Sequence, residues 1–451
     1  AGGGGEKVLW KAVESTLARN KNNIVAIYTG DKDVTGEDIL SNVIQRFGYD
    51  LDKSRIVFVF LNSRYLVDST TWPRFTLIGQ AIGSIFLSLE ALYKLPPDVW
   101  CETMGYPFAY PFIYWFAHIP IITYTHYPVI SSDMLDKLRL MPNFKSSVTL
   151  KLKYFYWKLF MLCYKFAGKY VEIPITNSTW TNNHIKSIWT TASPKIIYPP
   201  CTTENLVFKE PTDKWTRLNQ AVVIAQFRPE KRHELIIKSF AAFLKSAPEG
   251  SKSKIPKLIL IGSTRSDSDK QFVQKLQSLC YEDLKIPHGL VEFHTDCKYE
   301  VMKRFLRESS YGINAMWNEH FGIAVVEYVA SGLIPLVHAS AGPLLDIVVP
   351  WDSKKKCQAE HNTVNNRTGF FFRDSSDPDY TIKDSDKYPT LADLFVTVTN
   401  LTDEEKLLMS QRGKECVLNK FSDLKFHQMW DEVLDNIETI ELNYAQERAD
   451  F

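Results

Sequence analysis

Short apolar runs rich in β-branched residues alternate with helical stretches along the whole chain. In the first half NIVAIYTG, RIVFVFL, DVWCET, PIITYTH and VEIPITNS read as strands; in the second half AVVIAQF, KLILIGS, VEFHTD, YGINAM and LIPLVHAS do the same. Between them, segments such as ELIIKSFAAFLK and FGIAVVEYVASG carry apolar residues at helical spacing. Strands alternating with helices predict parallel sheets joined by right-handed crossovers. Two such sets predict an α/β chain of two Rossmann-like domains. PKIIYPPCTTENL, a short strand followed by Pro199-Pro200 and polar residues, marks the hinge. The expected boundaries are 1–199, 200–424 and a long amphipathic helix over 425–451. The polar stretch from Asp352 to Tyr388 reads as irregular.

Thr103 to Ser132 contains no Asp, Glu, Lys or Arg, so a membrane span has to be weighed. Pro107, Pro111, Pro120 and Pro128 interrupt it, and strand, aromatic helix, strand is the better reading. FTLIGQAIGSIFLSLEAL is also apolar, but Gln80 and Glu90 break it, which favours a core helix. With 451 residues and a net charge of +1, the chain can bury large cores, and any preference for a charged partner must come from local patches. Seven widely spaced cysteines without a C-x-x-C argue against a disulfide framework or a zinc knuckle and suit a reducing, cytosol-facing compartment.

One such patch is basic and aromatic. From Lys137 to Val171 there is no acid, while Lys151, Lys158, Lys165 and Lys169 would fall within roughly 40° on a helix. Aromatics from Phe144 to Tyr170 interleave with them. A solvated stripe on a core helix and an interfacial helix on anionic lipid are both open readings. No nucleic-acid recognition fold accompanies the patch, so nucleic acid is not an expected partner.

The chain opens AGGGGEKVLW. Val8, Leu9, Ala12, Val13 and Leu17 have helical spacing, so the glycines run straight into a helix. Glycine before a helix N-terminus lets backbone N–H groups approach an anion closely. Glu6-Lys7-Val8 follows where a nucleotide P-loop needs Gly-Lys-Ser/Thr, so a plain linker and a phosphate-cradling loop at Gly2, Gly3, Gly4 and Gly5 that lacks a magnesium hydroxyl are the two readings, and the run into a helix favours the second. On that reading, a strand is expected to precede it outside this chain.

NEHFGIAVVEYVASGLIPLVHASAGPLLDIV places Glu319 and Glu327 eight residues apart. Eight residues rotate a helical face by roughly 80°, so the two cannot act as one clamp. Glu319 should reach from a loop, and Glu327 from a position a little over two turns into the helix. Phe321, Gly322, Ile323 and Ala324 would form the helix N-terminus, an end that favours a diphosphate. On periodicity alone the pair reads as a solvated acidic helix start and one buried glutamate. Asp267 with Asp269 in SDSDK, and Asp384 with Asp386 in KDSDK, imitate a D-x-D metal motif but sit in polar turn contexts and read as surface loops.

The Glu319–Glu327 spacing resembles the E-x7-E signature of retaining glycosyltransferases of the two-domain GT-B fold, family 4. AGP after the next strand, IIYPP and AQFRPEKRHE are similar to that family's second glycine turn, interdomain linker and donor-phosphate motif. Arg228 lies three residues before Lys231 and Gln226 holds the position where the family usually places arginine. GGGGEKVLW, THYPVISSDML, QFRPEKRHE and GPLLDIVVP together resemble the eukaryotic branch that extends dolichol-linked oligosaccharide with α-1,2-linked mannose. The resemblance implies two Rossmann-like domains facing each other across a cleft, the last helix returning to the first domain. It implies GDP-mannose as donor, a dolichyl-diphosphate-linked mannosylated chitobiose as acceptor, and two successive additions. It also implies metal independence, with Arg228 and Lys231 on the leaving diphosphate, Glu327 on ribose, and Glu319 with His126 at the transferred sugar. Tyr127 and Asp133 of THYPVISSDML would join the glycines on the acceptor side. The expected setting is the cytosolic face of the endoplasmic reticulum membrane, alongside other mannosyltransferases, with a natural N-terminal anchor outside this chain. A family member with a soluble acceptor and a catalytically silent GT-B scaffold are the rival readings.

Overall fold

A computed structural model describes residues 4–130, 132–139, 141, 143–190, 193–201, 203–208, 213–247 and 254–450. They divide into two compact units, one of residues 1–200 with 424–451 and one of residues 201–423.

The first unit begins with helix α1 (Gly4–Arg19), followed by β1 (Val25–Thr29), α2 (Gly36–Phe47), β2 (Ile56–Phe60), α3 (Thr76–Lys94), β3 (Trp100–Glu102), α4 (Tyr110–Ala117) and β4 (Ile121–Thr125). Then come α5 (Ser132–Arg139), α6 (Val148–Ala167), β5 (Ile173–Thr176), α7 (Thr179–Ile188) and β6 (Lys195–Ile196). β3, β4, β5 and β6 form a parallel sheet in that order, and β1 and β2 pair separately, also in parallel. The buried faces of β4 and β5 (Ile122, Tyr124, Ile173, Ile175) meet Val8 and Ala12 of α1. They also meet Phe426, Trp430, Val433 and Ile437 from the last helix of the chain (Asp423–Ala449). Each such fully buried side chain contributes roughly 1.5–3 kcal/mol. Two polar ties fix the helix pair: Trp430 Nε1 donates to Thr16 Oγ1 at 3.0 Å, and Arg19 pairs with Glu438 at 3.0 Å.

Helix α3 is long and apolar enough to cross a membrane, with a third of its apolar window buried. The core-helix reading holds for one face only. Gly79, Gly83, Ser84 and Ser88 turn inward, and a Cβ on Gly83 would lie 2.2 Å from the Leu66 carbonyl oxygen. Ile78, Ile82 and Phe86 stand exposed on the other face. Helix α6 behaves alike. Ser147 caps its N-terminus, and Phe160 and Tyr164 are buried. Val148, Leu152, Phe155, Leu159, Leu162 and Phe166 are exposed. Those six fall in a stripe roughly 80° wide, with exposed Lys151, Lys158 and Lys165 along one edge. Lys169 lies past the helix end, in a short 3₁₀ turn.

The second unit holds β7 (Leu218–Ile224), α8 (His233–Ser246), β8 (Lys257–Gly262), α9 (Asp267–Ser278), β9 (Val291–Thr295), α10 (Tyr299–Glu308) and β10 (Ser309–Asn314). It continues with α11 (Ile323–Ala330), β11 (Ile334–His338), the hairpin β12 (Trp351–Asp352) and β13 (Cys357–Gln358), and β14 (Phe370–Phe372). It closes with α12 (Ile382–Lys387), α13 (Leu391–Thr399) and α14 (Asp403–Phe421). Its main sheet is parallel throughout, in the order β14-β11-β10-β7-β8-β9. This is the doubly wound arrangement, whose strand order reverses between β7 and β10. Ligands in such sheets bind beyond the carboxyl ends of the strands at that switch point.

Three sequence readings need correction. The two D-x-D segments are helix starts rather than loops. Ser266 caps α9 by accepting from the Asp269 N–H at 3.2 Å, and Asp384 of α12 accepts from the Thr381 N–H at 2.7 Å. An Asp three residues after Ser or Thr satisfies otherwise unpaired backbone donors, so it favours a helix over a turn. The opening glycines are not all loop, because α1 already includes Gly4 and Gly5. The stretch from Asp352 to Tyr388 contains the hairpin, β14 and α12. All seven cysteines are free thiols.

Candidate active site

In the second unit, β7 and β10 deliver two loops to the switch point. The first descends through Arg228 into a 3₁₀ turn, Pro229–Lys231, before α8 begins at His233. The second carries Met316–Gly322 into α11. Lys231 Nζ lies 2.7 Å from Glu319 Oε2 and 3.1 Å from Met316 Sδ. Residues chosen from separate motifs thus meet in one ion pair. The positive charge of Arg228 is felt at Asp269, whose carboxyl is held below the usual range first by the Arg265 N–H and also by Arg228.

Glycines explain why the second loop can lie where it does. Gly322, at φ +105°, is the cap residue of α11, a conformation that favours glycine. A Cβ on Gly342, in the AGP turn, would sit 2.2 Å from the Phe321 carbonyl oxygen and 2.6 Å from its Cα. The Gly342 N–H donates to the Glu319 carbonyl at 2.9 Å. The AGP turn is therefore a backbone seat for Glu319. Helix α11 is held in turn by Tyr328, whose hydroxyl accepts from the Ile224 N–H at 2.6 Å and donates to the Ile313 carbonyl at 3.3 Å.

Two details differ from the sequence reading. Phe321 precedes the helix and its ring is buried against Phe421, centroids 5.5 Å apart, so only its backbone can face a ligand. Glu327 lies about one turn into α11, not two, because the helix starts at Ile323 after the left-handed Gly322. Ile323 and Ala324 open the helix, half-buried. Sequence reasoning missed His233, fully buried and stacked on Phe227 at 4.9 Å, with a pKa pushed down to about 4 by burial. It also missed a buried ionic cluster around Asp377 behind both loops. Among the described residues no group of His, Cys, Asp and Glu has metal-ligand geometry.

In the first unit, His126 follows β4 directly, its ring 5.0 Å from that of Tyr124. Burial pushes its pKa down to about 4, so the imidazole is neutral near pH 7. Nε2 has no hydrogen-bond partner among the described residues. It faces the start of α1, where a Cβ on Gly5 would lie 3.3 Å from it. Gly5 and His126, chosen for different reasons, are in contact. Tyr127 is exposed. Gly2 and Gly3, and the side chain of Asp133, lie outside the described residues. His126 borders a cavity of about 360 Å³ between α3, α6 and the loop after β3. The loop is shaped by Glu102, which accepts from Met104 N–H at 2.7 Å, Gly105 N–H at 2.9 Å and the Tyr110 hydroxyl at 2.7 Å. Burial nonetheless pushes the Glu102 carboxyl up. A larger cavity, about 540 Å³, lies beside Trp351 and Arg412 and touches none of the residues named so far as site candidates.

A doubly wound unit with paired cation and carboxylate at its switch point, in one chain with a Rossmann-like unit that carries a buried neutral histidine, defines the class: a glycosyltransferase of the GT-B fold. Solved structures agree on the fold. A sucrose-phosphate synthase of Thermosynechococcus elongatus superimposes with TM-score 0.61 at 13% identity, covering 98% of this chain and 94% of its own. Anabaena HepE in complex with UDP and glucose gives 0.56 at 14%, with 96% of each chain covered. The family described as ALG11 mannosyltransferase N-terminus matches residues 1–189, and that described as Glycosyl transferases group 1 matches residues 207–387. Curated relatives carry the description GDP-Man:Man(3)GlcNAc(2)-PP-Dol alpha-1,2-mannosyltransferase. That of Eremothecium gossypii is 62% identical over 98% of this chain and 75% of its own length. That of Kluyveromyces lactis is 61% identical over 97% and 76%, and that of Xenopus laevis 39% over 94% and 83%. The chain belongs to the ALG11 family of α-1,2-mannosyltransferases.

Proposed function

We propose that this chain moves mannose from GDP-mannose to a dolichyl-diphosphate-linked Man3GlcNAc2 acceptor in α-1,2 linkage. We further propose that it adds two residues in succession with retention of anomeric configuration. The observation that supports this most is the meeting of Lys231 and Glu319 at 2.7 Å beyond the β7–β10 switch point, in a chain whose relatives carry that activity in their description. An ammonium and a carboxylate side by side suit a ligand that is a diphosphate at one end and a polyol at the other. Lys231 and Arg228 neutralise the departing diphosphate, so no metal is required. Glu319 accepts hydrogen bonds from the mannosyl hydroxyls and Glu327 from ribose. Neutral His126 serves as a hydrogen-bond donor at the reacting sugar. The acceptor hydroxyl attacks the anomeric carbon on the face from which GDP leaves, and its proton goes to the departing phosphate oxygen. On the acceptor side, the start of α1 at Gly4 and Gly5 turns backbone N–H groups and a favourable dipole end to the lipid's diphosphate, with Gly2, Gly3, Tyr127 and Asp133 assigned to the same side.

The direct test supplies purified enzyme with GDP-mannose and lipid-linked Man3GlcNAc2 in excess chelator. The expected product carries two further α-1,2-linked mannoses. Loss of transfer in chelator with rescue by manganese would sink the metal-free part, and transfer to a soluble sugar alone would sink the acceptor. Arg228→Ala or Lys231→Ala removes a charge-assisted contact of about 1.5–3 kcal/mol and should weaken transfer accordingly. Gly5→Val should lose transfer to lipid-linked acceptor while GDP affinity stays near normal. A collapse of GDP binding would instead assign the loop to the donor.

We also propose that α6 lies on the cytosolic surface of the endoplasmic reticulum membrane. The exposed stripe from Val148 to Phe166 is apolar and edged by lysines, which suits an anionic lipid surface better than water. Changing Leu159→Glu should reduce flotation with anionic vesicles severalfold at an unchanged melting temperature, because this side chain packs against little of the protein. Unaltered flotation would exclude α6 as the contact.

A further inference from the structure

The loops that carry Lys231 and Glu319 are tied to one buried carboxylate. The Asp377 side chain is fully buried. Its Oδ1 accepts from the Arg232 guanidinium at 2.6 Å. Its Oδ2 lies 2.8 Å from His338 Nε2, 3.0 Å from the Arg373 guanidinium and 3.0 Å from the Asp374 N–H. His338 Nδ1 is 2.8 Å from Ser340 Oγ, and Ser340 Oγ accepts from the Asn318 N–H at 2.9 Å.

The contacts form one continuous chain from the Asp377 carboxylate to the Asn318 backbone. Burial opposes ionisation of Asp377, but His338, the Asp374 N–H and Arg232 outweigh it and hold its pKa down at about 2. His338 donates from Nε2 to the carboxylate and meets the Ser340 hydroxyl at Nδ1, and the Ser340 oxygen accepts from the Asn318 N–H. Arg232 is next to Lys231, and Asn318 is next to Glu319. Both neighbours hold left-handed backbone, φ +56° and +52°, which needs outside support in a residue with a side chain. Each arm from Asp377 ends at one of these two strained residues.

We propose that Asp377 is a positioning residue for transfer. Through Arg232 it sets Lys231, and through His338, Ser340 and Asn318 it sets Glu319, without meeting either substrate. The inference rests on the donor-site roles given above. The two arms make it separable from a purely structural role. Arg232→Gln cuts the arm to Lys231 and should raise KM for GDP-mannose roughly tenfold with kcat little changed. Ser340→Ala cuts the arm to Glu319 and should lower kcat roughly tenfold with KM little changed. Asp377→Asn keeps the shape and should do both. Steady-state kinetics with GDP-mannose and lipid-linked acceptor, alongside melting temperatures, reads all three. A lowered melting temperature with neither constant altered, or one shared pattern in all three variants, would overturn the proposal. If Asp377→Asn does not fold, the Arg232 and Ser340 variants carry the test between them. Glu319→Gln is the control: if it transfers like the unaltered enzyme, the donor-site reading falls and this proposal with it. If it is inactive while the arm variants are normal, only the proposal falls.

Discussion

Glu319→Ala should reduce kcat for mannosyl transfer by roughly two to three orders of magnitude, a loss of about 3–4 kcal/mol of transition-state stabilisation. Its effect on stability should be small. The Lys231–Glu319 pair is partly open to solvent, with a quarter of the Lys231 side chain exposed, and such pairs are worth about 1 kcal/mol or less. An unchanged melting temperature alongside the activity loss would separate it from unfolding. Glu327→Ala should act differently. It sits a turn further along α11 and is assigned to ribose, away from the bond that breaks, so its removal should raise KM for GDP-mannose and leave kcat largely intact. Steady-state kinetics on both variants decides the matter. Equal losses confined to donor affinity would contradict the division of labour between the two carboxylates.

Gly342→Ala should be nearly as damaging, although the residue touches no ligand in this reading. Its φ is an ordinary −56°, so alanine suits the backbone itself. The obstacle is contact. The new methyl would meet the Phe321 carbonyl oxygen at 2.2 Å, its Cα at 2.6 Å and the His320 carbonyl oxygen at 2.8 Å. These are backbone atoms that cannot rotate away, so the Glu319 loop must shift by roughly 1 Å to restore ordinary contact, and misplacement on that scale costs about a hundredfold in rate. Overpacking adds a stability loss of about 1–3 kcal/mol. Transfer rates and thermal unfolding of Gly342→Ala check both parts. A variant with normal kinetics would show that the AGP turn does not set the Glu319 loop.

The parallel sheets could be read in the chain because their strands are short β-branched runs with helical segments between, and periodicity reports burial directly. The E-x7-E spacing and the AGP turn were also legible, since each is local. The ion pair of Lys231 with Glu319 was not, because 88 residues separate the partners and only the β7–β10 adjacency joins them. The same holds for Gly5 against His126. Asp377 was missed for another reason. It falls in a stretch of aspartates and serines that composition assigns to a solvated turn, and nothing local shows that His338 and two arginines enclose it. The start of α11 was misplaced because a left-handed glycine can end or begin a helix, and spacing alone does not say which.

The Lys231–Glu319 contact also bears on discrimination among nucleotides. Lys231 is an ammonium with three donors, one of them turned to a carboxylate of its own chain, so an anion that claims it shares it with Glu319 and weakens that pair. The carboxylate can only accept hydrogen bonds, so hydroxyl donors are what make up for the weakened pair. A ligand that brings diphosphate without a sugar offers Glu319 nothing in exchange, and one that brings a sugar without diphosphate gains nothing from Lys231. Under the proposed roles the pair works as a coincidence detector, rewarding only a molecule that presents both chemistries at once. The spent nucleotide, having lost its hexose, is the first ligand this arrangement disfavours.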